Sequence, residues 1–75
     1  MEKLLNILKS IKPGVDFENS ENMIEEGLID SFDIVTIIAK INEEYDIEFE
    51  VSEIVPENFA TVKTLYETIE RIKNS

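Results

Sequence analysis

The chain has 75 residues, 17 acidic and 7 basic, for a net charge of −10; 43% are hydrophobic, and cysteine and histidine are both absent. A single domain spanning residues 1–75 is expected, one that buries roughly 60% of its unfolded surface and has little room for a deep substrate pocket. The charge makes nucleic acid and anionic membrane surfaces poor partners and speeds encounter with basic protein surfaces. Without Cys or His there are no disulfides, thiolate nucleophiles, Cys/His zinc sites or imidazole catalysis, so no catalytic residue and no metal ligand is assigned. No apolar run approaches the about 18 residues of a membrane span, and no signal-type stretch opens the chain; a cytoplasmic monomer without membrane insertion is expected.

In chain order, Leu4, Ile7, Leu8 and Ile11 recur at i, i+3, i+4 and i+7, which predicts an amphipathic helix that Pro13-Gly14 stops. The stretch 15–30 has no sustained period but keeps Val15, Phe17, Met23, Ile24, Leu28 and Ile29, as expected of a long loop pinned to the core. From Ser31 to Tyr45, the apolar positions Ile34, Val35, Ile37, Ile38, Ala39, Ile41 and Tyr45 leave Asp33, Thr36, Lys40 and Glu43 as a polar stripe. So apolar a girth predicts a central helix buried on more than one side, with that stripe as its narrow partner-binding face. Asp46 to Glu50 alternates briefly like a strand but has nothing to pair with, so it reads as extended loop; Ser52 then caps a short helical turn that Pro56 limits. The last helix starts near Thr61 as N-cap and carries Val62, Leu65, Ile69 and Ile72, with Arg71 and Lys73 suiting its C-terminal dipole. The expected fold is all-α: three main helices, one short one and a long first loop.

Asp30-Ser31-Phe32 sits where that loop meets the central helix. The bland reading is a cap: Asp30 or Ser31 closes the helix, and Asp30 with Asp33 makes a capping box in which Asp stands for Glu. Against it, two potential caps stand side by side. The Ser31 hydroxyl would also project at a helix N-terminus, where dipole and free N–H groups favour a phosphate. The acidic loop is no calcium site: an EF-hand loop beginning at Asp16 needs Gly sixth and Glu twelfth, and Glu21 and Gly27 stand there.

Gly27-Leu28-Ile29-Asp30-Ser31-Phe32, followed by Val35, Ile38, Ile41, Tyr45 and Thr61-Val62, resembles the acyl/peptidyl carrier protein family over nearly the whole chain. Its 51–61 spacing, with an aromatic residue before the last helix, is similar to that of stand-alone D-alanyl carrier proteins. The resemblance implies a four-helix carrier bundle with 4′-phosphopantetheine on Ser31, flanked by Asp30 and by Phe32 in place of the usual Leu or Met. It implies a magnesium-dependent phosphopantetheinyl transferase, an acyl- or aminoacyl-activating ligase and a downstream acyl transferase as partners, and a carrier that is no enzyme itself. The alternative from another class is an acidic helical interaction module with no covalent cofactor. Phe49, Ile54, Val55 and Phe59 read first as core and second as the wall of an acyl tunnel.

Overall fold

A computed structural model describes residues 1–74. Among them are three α-helices, α1 (Glu2–Ile11), α2 (Ser31–Tyr45) and α3 (Val62–Lys73), with two short 3₁₀ turns, Val51–Glu53 and Pro56–Phe59, between the second and third. No strand occurs among the described residues, and 46–50 is extended loop as expected. The architecture is the acyl-carrier type of helical bundle, with the expected short helix reduced to the paired 3₁₀ turns. Glu50 precedes the first turn, which leaves Ser52 inside it, and Pro56 opens the second turn, where its missing N–H is harmless.

Each helix follows from local chemistry. α1 buries Leu4, Ile7 and Leu8 on one stripe, and α3 buries Val62, Leu65, Thr68 and Ile69. Thr61 caps α3 by accepting the Thr64 N–H at 3.0 Å, while the Thr64 hydroxyl accepts the Thr61 N–H at 3.1 Å. α2 ends at Asp46, whose left-handed φ of 53° a short polar side chain tolerates. The Asn42 side chain then accepts the Phe49 N–H at 2.9 Å and holds the departing chain on the bundle.

Phe17, Met23 and Ile29 of the long loop are buried among the helices, so this loop is a third wall of the core. The Met23 N–H donates to the Ala60 carbonyl at 2.7 Å and ties the loop to the segment before α3. Gly27, at φ 74°, makes the turn that leads the chain into α2, a conformation that disfavours any side chain. Phe49 and Phe59 fill the centre with ring centroids 5.6 Å apart.

One expectation is corrected. α2 is not buried on several sides: only Ile37 and Ile41 are fully buried, while Phe32 is 78% and Val35 67% exposed. Phe32 and Val35 lie one turn apart, opposite the Ile37–Ile41 seam, and no described element covers them.

Candidate functional site

The loop turning at Gly27 delivers the chain to Asp30 in an extended conformation, and α2 begins at the next residue. Asp30 is the N-cap. Its carboxylate accepts the Asp33 N–H at 2.9 Å, and the Asp33 carboxylate accepts the Asp30 N–H at 3.2 Å, completing a capping box with Asp in the Glu position. The capping duty therefore belongs to the two aspartates. Ser31, at the first helical position, is exposed, and its hydroxyl takes part in no hydrogen bond among the described residues.

The first four N–H groups of a helix have no intrahelical partner. Here Asp33 N–H is capped, and those of Ser31 and Phe32 are unpaired among the described residues. An exposed hydroxyl thus stands beside two free amide donors at the positive end of a helix, an arrangement favourable to an esterified phosphate by about 0.3–1 kcal/mol.

The side chains expected to meet partners are placed unequally. Lys40 and Glu43 are exposed, and Thr36 is half-buried with its hydroxyl donating to the Phe32 carbonyl at 3.3 Å. Asp33 is turned inward toward α1: its side chain is only 13% exposed, and its Oδ2 lies 3.2 Å from the Lys12 ammonium. Burial pushes the Asp33 pKa up, but the Asp30 N–H and the Lys12 ammonium outweigh it and hold the group below 3.8.

Two features are missed by sequence reasoning. Lys12 is distant in the chain from Asp33, and nothing in its own neighbourhood marks the pairing. Val35, counted as core, joins Phe32 in an exposed apolar strip beside Ser31; its spacing of three from Phe32 is the available signal. A groove of about 300 Å³ lies between α1 and α2, lined by Lys3, Asn6, Ile7, Ser10, Lys40 and Glu44, away from the serine. Of the residues weighed as a tunnel wall, Phe49 and Phe59 are buried in the core and Ile54 is 39% exposed.

The family profile described as "Phosphopantetheine attachment site" matches residues 2–69. The chain is also similar to the D-alanyl carrier proteins of Bacillus cereus and Bacillus anthracis, each 30% identical over 74 residues, covering 96% of this chain and 94% of theirs.

Proposed function

The chain belongs to the phosphopantetheine-attachment family of carrier proteins, which are not themselves catalytic and carry 4′-phosphopantetheine covalently, and on that premise we propose that Ser31 is its attachment point. The observation that carries the assignment is the division of labour at the head of α2: Asp30 and Asp33 cap the helix, and the Ser31 hydroxyl is exposed, with no hydrogen bond among the described residues. The residues fit the group, since the Ser31 and Phe32 N–H groups, unpaired among the described residues, are free donors at the helix N-terminus that carries the hydroxyl. When bound, the group supplies a thiol on a long arm, which holds an acyl or aminoacyl unit as a thioester.

The chain's own part is presentation. A phosphopantetheinyl transferase, using magnesium and coenzyme A, supplies the chemistry that the chain lacks. The family membership brings a transferase and activating ligases as partners. The exposed strip of Phe32 and Val35, bordered by Thr36, Lys40 and Glu43, is the surface that meets them while Ser31 is in reach. The net charge of −10 steers basic partner surfaces toward it. A downstream acyl transferase receives the cargo, and residues 1–75 act as one carrier unit.

The cargo we assign is an amino acid, D-alanine in the first place, or an acyl group of similar size. The similarity to D-alanyl carrier proteins supports it, and so does the packed Phe49–Phe59 centre, where a long acyl chain would have to displace buried rings. The test uses intact mass. With coenzyme A, magnesium and a broad-specificity transferase, wild type gains the phosphopantetheine increment and Ser31→Ala gains nothing. Offered D-alanine and octanoate with their activating enzymes, the loaded form accepts D-alanine, and its melting temperature stays unchanged on octanoylation. Absence of any increment on wild type restores the cofactor-free interaction module; stabilisation by octanoate overturns the small-cargo assignment.

A further inference from the structure

We propose that Lys12 is a positioning residue for the loading of Ser31, acting through Asp33. The proposal rests on Ser31 as the attachment point. Asp33 Oδ2 is the shared atom of two contacts, accepting the Asp30 N–H at 3.2 Å and lying 3.2 Å from Lys12 Nζ. The other half of the box runs from the Asp33 N–H to Asp30 Oδ1 at 2.9 Å. The capping box around Ser31 is therefore clamped to the end of α1.

Lys12 is itself fixed at its base. It closes α1, its N–H bonded to the Leu8 carbonyl at 2.9 Å, and Pro13 turns the chain away immediately after it. Its ammonium does two things at once. It holds the first turn of α2, and with it the Ser31 hydroxyl, in one orientation relative to α1. It also offsets the charge of a carboxylate two positions from an oxygen that becomes a phosphate ester. Among the described residues no other cation pairs with Asp33: Lys9 pairs with Glu18 at 3.4 Å, Arg71 with Glu53 at 2.6 Å, and Lys3 donates to the Glu44 carbonyl.

Removing Lys12 sets two effects against each other, which makes the experiment decisive. The carrier becomes more acidic, so encounter with a basic transferase improves and KM falls or holds; the loosened serine lowers kcat. The full chain is compared as wild type, Lys12→Met, Lys12→Arg, Asp33→Asn and the double variant Lys12→Met/Asp33→Asn, with transferase, magnesium and coenzyme A. The expected result is a fall in kcat of about threefold to tenfold for Lys12→Met at unchanged or lower KM, and return to within about twofold for Lys12→Arg. The double variant is expected to be no slower than the slower single variant, because both changes cut one contact.

Amide hydrogen exchange separates positioning from general weakening. In Lys12→Met, exchange of Asp33 and Ile34 accelerates while that of Leu65 and Ile69 in α3 does not. Unchanged kcat in Lys12→Met, equal losses in Lys12→Met and Lys12→Arg, additive losses in the double variant, or uniform acceleration of exchange each overturn the proposal. Failure of wild type to load at all overturns instead the assignment of Ser31.

Discussion

Asp30→Ala and Ser31→Ala change adjacent residues, and the structure assigns them opposite consequences. Asp30→Ala deletes the acceptor that holds the Asp33 N–H at 2.9 Å and breaks one half of the capping box. Loss of such a cap costs about 1 kcal/mol, within a range of about 0.5–2. For a domain of this size, 1 kcal/mol lowers the melting temperature by about 4–8 °C. Ser31→Ala removes a hydroxyl with no hydrogen bond among the described residues, and Ala is the better helix former, so stability moves by less than about 0.5 kcal/mol. Paired urea titrations and thermal melts measure the first contrast. Intact mass after incubation with transferase measures the second, in which Asp30→Ala still loads and Ser31→Ala does not. If Ser31→Ala destabilises as much as Asp30→Ala, the serine is the cap and the division of labour is refuted.

Further outcomes follow from burial and charge. Phe59 is fully buried against Phe49, so Phe59→Ala costs about 3–5 kcal/mol, a large part of the total stability of a small domain, and a urea titration shows the native baseline shortened or lost. The Tyr45 hydroxyl is buried without a partner among the described residues; Tyr45→Phe removes that unpaired group and raises stability by about 1 kcal/mol in the same titration. Asp33 titrates below 3.8, so its folded-state contribution is complete above that value and is lost as pH falls through the depressed one. Carboxyl chemical shifts followed through acid should place the Asp33 midpoint below 3.8 in wild type and higher in Lys12→Met. Glu53, held below 4.5 first by the hydrogen bond from Arg71, follows the same sign, and its midpoint rises in Arg71→Ala.

Most of the fold was legible because its signals are local. The Leu4–Ile11 stripe, the Pro13-Gly14 stop and the Thr61 cap depend on near neighbours, and the structure has each in place. The loop anchors Phe17, Met23 and Ile29 were readable as apolar residues in an otherwise polar stretch. The surroundings of α2 were not, because an apolar girth states what a helix tolerates and says nothing of how many neighbours a short chain can supply. Phe32 and Val35 consequently face outward. At the site, the capping box could be read from the spacing of Asp30 and Asp33. The inward turn of Asp33 could not, since its cause is Lys12, brought up by the packing of α1 on α2.

With Ser31 as the attachment point, the chain's other serines, Ser10, Ser20, Ser52 and Ser75, are the sites that must stay unmodified. Proteolysis of the loaded wild-type chain and fragmentation of its peptides locates the group directly. The full phosphopantetheine mass is expected on fragments that contain Ser31 and none on fragments that lack it. The group on any other serine, or a chain that stays unmodified with an active transferase, contradicts it.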